Sequence, residues 1–231
     1  LLATLPRLDP AHINGVLADG DAAAVELGTA VSLMAEMRSD AASLQDESRL
    51  SRSNRQLLAG IDETLQALEP APATWGRLSR PARHVAALLV AVSGHEDLVF
   101  RATSAARRER WDNALRLLDN ARTELARAAE TRDRLAREGD VTTLDELLAR
   151  YADYSAALVD LYTALRDGAA PGGPEVAARL DRVERTQAAL PADTSALRVA
   201  VSEAAGGPVA DGVVSLERAR AVVTQVVGDL P

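Results

Sequence analysis

Arg49, Arg52 and Arg55 stand three apart in the run Ser48-Arg49-Leu50-Ser51-Arg52-Ser53-Asn54-Arg55, so on a helix they share one broad face. Guanidinium forks arrayed in that way suit a phosphate, a carboxylate or an acidic partner. The competing account is a solvated helix face, with Asn54 as a polar seam residue that fixes register. A second basic cluster, Arg107-Arg108-Glu109-Arg110, sits beside Trp111 and suits an anion or a membrane headgroup. Its interleaved acid and single aromatic make that the weaker of the two.

The histidines are His12, His84 and His95. His84 and His95 are separated by about three helical turns, too far to hold one metal from the same straight helix. Neither a His-Glu-x-x-His nor a Glu-x-x-His motif occurs, so no metal or other cofactor is expected. Tyr151, Tyr154 and Tyr162 invite a binding role, because a tyrosine ring buries well while its hydroxyl stays wet. Filling a bundle core near its polar margin is the favoured alternative. Trp75 lies in a Pro- and Gly-rich stretch, where its bulk is expected to clamp a loop.

Nucleophilic chemistry has little to draw on. No Gly-x-Ser-x-Gly elbow or glycine-rich dinucleotide loop is present. The chain has no cysteine, and all 26 of its basic residues are arginine. Thiolate sites, Schiff bases and Walker-type phosphate loops are thereby excluded.

The 231 residues are 47% apolar, 26% charged and 3% aromatic, with a net charge of -8. That balance lacks the broad basic face a nucleic-acid binder needs, so no nucleic-acid partner is expected. The lysine-free, alanine- and arginine-rich composition resembles translation from a GC-rich genome. Starting at Leu1 with no signal-peptide pattern, the sequence is expected to be a processed or excised segment. Membrane attachment is then expected only through segments outside it. The sequence does not fix the compartment, though an extracytoplasmic or membrane-associated place is favoured over a cytoplasmic one.

The elements that must position these residues are helices. Apolar residues recur at three- and four-residue spacing, and no run alternates like a strand. One stripe runs from Leu27 through Met34 and Met37 to Leu44, and resumes from Leu50 through Leu57, Ile61 and Leu65 to Leu68. Residues 21–68 are either one helix of about 72 Å or two shorter ones broken near 48–55. Pro70, Pro72 and Gly76 are expected to end that region, with a new helix after Pro81 and a restart at the capping-box spacing Ser93 to Glu96.

Further stripes follow at Trp111, Ala114, Leu118, Ala121, Leu125, Ala128, Arg132, Leu135 and at Leu147, Tyr151, Tyr154, Leu158, Leu161, Leu165. Gly139 fits a stop, and Thr143 with Glu146 a capping box. Acids precede arginines by four at 112/116, 130/134, 133/137, 146/150, 175/179 and 181/185, which supports exposed helix faces. Arg132, Gln187 and Arg220 interrupt the apolar seams. Gly206-Gly207-Pro208 is expected to separate the last two helices.

The fold class expected is an all-α, elongated antiparallel bundle of long coiled-coil-like helices with a smaller C-terminal helical part. The domains would be a body over 1–168, a Pro/Gly linker over 169–174 and shorter helices over 175–231. The leading function is a non-enzymatic interaction or scaffold domain, the soluble part of a larger membrane-attached or secreted assembly. Its partner would be another protein or a second copy. One alternative is an extracytoplasmic sensor bundle binding a small anion; another is an enzyme using carboxylates with His84 or His95.

Overall fold

The computed structural model describes residues 10–43, 51–191 and 195–228. Among them are seven α-helices and no strand, so the chain is an all-α helical bundle. The helices are α1 (Pro10–Ser43), α2 (Arg52–Leu68), α3 (Ala71–Ala106), α4 (Trp111–Leu135), α5 (Thr142–Arg166), α6 (Pro174–Ala188) and α7 (Ser195–Gly228). By contact the described residues form two compact units. The first holds 10–13 and 83–206, the second 14–82 and 207–228.

In the first unit α4 and α5 bury the stripes their spacing predicts. Ala114, Leu118, Ala121, Ala128 and Leu135 are fully buried on α4. On α5 the buried set includes Leu144, Leu147, Tyr151, Leu158, Leu161 and Tyr162. Trp111, Tyr154 and Leu165 of those stripes are half-buried, and so is Arg132: Thr131 takes the buried place, and Arg132 Nε reaches Asp145 Oδ1 on α5 at 2.5 Å. Val176 and Val183 of α6 close the same core. Between α5 and α6, Gly168 takes φ 94°, a left-handed conformation open to glycine at little cost, and Ala169 N–H returns to Ala164 C=O at 3.0 Å.

The second unit joins parts of α1, α3 and α7 with α2. Arg38 Nε on α1 pairs with Asp62 Oδ1 on α2 at 2.6 Å. Trp75 does clamp, but as a helical residue: its indole N–H donates to Asp21 Oδ1 on α1 at 2.9 Å. The ring lies against Gly20, where any Cβ would overlap it.

Local signals misplace several helix boundaries. Of the two alternatives for 21–68, the structure takes two helices: Ser51 caps α2, its hydroxyl accepting the Asn54 N–H at 3.2 Å. Asn54 therefore stands in a first turn rather than in a mid-helix seam. The proline-rich stretch interrupts for only two residues, because Pro72 falls in the first turn of α3, where a missing N–H is tolerated. The helix then runs through Pro81, at a cost of roughly 3 kcal/mol. Burial of Leu78, Ala82, Val85, Leu88 and Leu89 along α3 offsets that cost.

No restart occurs at Ser93, and the Glu96 carboxylate faces α5 instead of capping. At the start of α5 the capping acceptor is Asp140, not Thr143. It takes the Thr142 N–H at 2.9 Å and hydroxyl at 2.7 Å, and these bonds hold its carboxyl below the usual value. Across 206–208, α7 is continuous. Burial of Leu197, Ala200, Val201 and Ala204 before that tripeptide, and of Gly212 and Ala219 after it, outweighs the local Gly and Pro preference.

Candidate functional site

α3, α5 and α6 of the first unit line an open cavity of about 620 Å³. The chain has two tryptophans, three tyrosines and one phenylalanine. Five of the six line this space: Phe100 from α3, Trp111 from the start of α4, and Tyr151, Tyr154 and Tyr162 from α5. Leu158, Leu161, Leu165 and Val183 complete an apolar wall, and exposed Phe100 and Leu180 stand at the rim. Trp111 and Tyr162 pack on each other with ring centroids 6.0 Å apart.

Helical spacing makes this wall. Tyr151, Tyr154, Leu158, Leu161 and Leu165 recur every three or four residues, so they project from one side of α5. α3 meets that side with Glu96, Val99, Phe100 and Thr103 at the same intervals, and Arg107 follows in the turn after it.

Polar groups sit at defined points of the wall. Tyr151 Oη–H donates to Glu96 Oε1 at 2.6 Å, a short charge-assisted bond between α5 and α3. Burial pushes the Tyr151 hydroxyl far above its ordinary value, and the Glu96 carboxylate adds to the shift. Burial also raises Tyr154. Tyr162 is pushed up to about 12, chiefly by burial and then by Tyr154, with Arg107 acting in the opposite sense. All three tyrosines are therefore O–H donors at neutral pH. Arg107 presents a guanidinium with no ion pair among the described residues.

His95 also lines the cavity and is 1% exposed. A carbonyl only accepts, so Nδ1–H donates to Ala121 C=O on α4 at 3.0 Å. Nε2 then accepts the Ser155 hydroxyl proton from α5 at 3.3 Å. The Tyr151 ring meets the imidazole edge-on at 5.5 Å. Burial lowers the His95 pKa, outweighing the Ala121 bond and the nearby Glu96 charge, so the ring is neutral. Ser155 and His95 thus resemble a nucleophile and base in proximity alone. Ser155 is itself 1% exposed and is not part of the cavity lining.

The basic residues singled out by spacing fall elsewhere. Arg49 lies outside the described residues. Arg52 and Arg55 are exposed in the first turn of α2, in the second unit, and do not line the aromatic cavity. Of the residues interrupting the seams, Gln187 lines the cavity, Arg132 pairs across helices, and Arg220 meets Glu217 at 3.6 Å on the surface. Among the described residues no group of three His, Asp or Glu side chains could hold a metal ion, and no helix is long and apolar enough to cross a membrane.

Spacing did not single out Phe100, Trp111 and His95 as companions of the tyrosines. The available signal was scarcity: five of six aromatics fall between residues 100 and 162. No protein-family model matches the chain, and searches of curated proteins and of solved structures find no match either.

Proposed function

We propose that the 83–206 unit is a non-enzymatic small-molecule-binding bundle whose ligand has an apolar, preferably aromatic, body and one acidic group. The observation that carries this reading is the gathering of five of the chain's six aromatics around one cavity of about 620 Å³. That volume falls in the ordinary range for ligand pockets, which combine apolar walls with a few placed polar groups. A core residue gains most by packing against another side chain, so rings ranged around open space favour a guest.

Arg107 supports an acidic group on the ligand, because its guanidinium is the cation on the wall with no protein carboxylate paired to it among the described residues. Glu96 is already engaged by Tyr151. The sealed Ser155 and the neutral His95, spent on Ala121, support binding over hydrolysis.

A thermal-shift screen of aromatic and medium-chain carboxylic acids tests the proposal. A ligand at 100 times its Kd stabilises the native state by about 2.7 kcal/mol, a readily measured rise in Tm. Thr103→Phe, which fills the cavity, abolishes the rise. Arg107→Ala weakens acids but not the matching primary amides. Absence of any shift across the screen, or equal shifts in the Thr103→Phe variant, contradicts the proposal.

A second reading, partner binding or self-association, is favoured by one feature of the other unit. Val25, Leu33 and Met37 of α1 stand 71%, 56% and 56% exposed at four-residue multiples, an apolar stripe facing solvent. Light scattering that shows concentration-dependent mass, lost on Leu33→Glu, supports this reading; a monomer at all concentrations removes it.

A further inference from the structure

The turn that carries Arg107 to the aromatic cavity has another concave side. Arg101 and Arg108, Arg110 in the turn itself and Arg116 on α4 line one cavity of about 240 Å³ with Ser104 and Asn113. No carboxylate lines it, although the chain as a whole carries a net charge of -8. The left-handed backbone at Glu109, φ 55°, shapes the turn, and Arg107 lines the aromatic cavity while Arg108 and Arg110 line this one.

The four cations are poorly compensated. Arg101 reaches Asp97 at 3.4 Å, in a pair exposed on both sides and so worth little. Arg116 Nη2 donates to the neutral Asn113 Oδ1 at 2.7 Å. The guanidinium groups of Arg108 and Arg110 have no ion pair or hydrogen bond among the described residues. Arg110 also occupies the N-cap of α4 without a side-chain cap, and the acid in that helix's first turn, Asp112, does not line the cavity.

We infer that this arginine-lined cavity binds the dianionic phosphate group of a small molecule or a lipid headgroup. Each guanidinium offers a planar fork of N–H donors that matches phosphate oxygens, and a dianion offsets more of the convergent charge than a carboxylate does. A volume of about 240 Å³ leaves room for a phosphate and part of its substituent. Serine and asparagine supply the neutral hydrogen bonds such sites commonly use. The inference is independent of the aromatic cavity, since the two sets of lining residues do not overlap.

Isothermal titration of the full chain at low ionic strength tests it with three probes: inorganic phosphate, glycerol 3-phosphate and vesicles containing phosphatidic acid. The expected result is binding to at least one probe, about tenfold or more weaker in the Arg108→Gln/Arg110→Gln double variant. Arg150→Gln, elsewhere on the same unit, leaves it unchanged. Affinity also rises between pH 5 and pH 7.5, as the second phosphate proton, with pKa near 6, is lost. The vesicle arm separates a lipid source from a soluble one. Binding that the double variant leaves intact, or no binding of any probe at about 10 mM phosphate, overturns the inference.

Discussion

His95 illustrates what one side chain does in this molecule. It stands on α3, donates to the backbone of α4 and accepts from Ser155 on α5, so three helices meet at one imidazole. Its folded pKa lies below 6.5, with burial the largest cause. Above pH 6.5 both the folded and the unfolded chain hold a neutral ring, and the full stability is present. As the pH falls below that value the unfolded chain takes up a proton that the folded one resists, so stability declines. Tm should therefore drop between pH 6.5 and pH 5.5, and the drop should be smaller in His95→Gln; equal slopes would remove His95 as the cause.

Tyr151→Phe tests the neighbouring bond to Glu96. It should cost about 1 kcal/mol in urea unfolding, because exposed Glu96 regains water. Neither relationship was legible in the sequence. The partners lie 26, 60 and 55 residues away, and no local spacing encodes them.

At the scale of elements, local periodicity succeeded where the segment's own pattern decides the outcome. α4 and α5 bury the stripes their spacing predicts, with Arg132 displaced because a carboxylate on α5 draws its head outward. Three of the six expected i,i+4 ion pairs form: Glu146–Arg150, Glu175–Arg179 and Asp181–Arg185. Elsewhere Arg116 turns to Asn113 and Asp133 to Arg132, since a flexible side chain takes the nearer acceptor.

The stop signals failed where tertiary burial outweighs them, as at Pro81 and at 206–208. A gain spread over many contacts has no single residue that announces it. Packing predictions belong to this scale. Leu118→Ala, at a fully buried position, should destabilise by about 2–5 kcal/mol in denaturant melts. Ala121→Leu should cost about 1–3 kcal/mol by overpacking the same layer. A neutral outcome for both would mean that α4 is not the close-packed element described.

For the molecule as a whole, composition excluded more than it assigned. A lysine- and cysteine-free acidic chain narrows the available chemistry without choosing a ligand. The cavity emerged only when α3, α5 and α6 were brought together, because its wall draws on residues from 95 to 191. The tyrosines were visible as a group, but their convergence with Phe100 and Trp111 depends on how α3 packs on α5. Hydrogen exchange should report ligand binding as slowed exchange in α5 and α6, with α2 unchanged. Uniform protection across all helices would point to a general solvent effect.

The most direct measurement uses Trp111 as an internal probe. In a Trp75→Phe variant, Trp111 is the sole tryptophan, and it lines the cavity beside Tyr162. Titration with the aromatic carboxylic acids of the screen should change its emission along a saturable curve, and Thr103→Phe should flatten that curve. Emission that stays constant while the same acids raise Tm would place their binding elsewhere and contradict the assignment of this cavity.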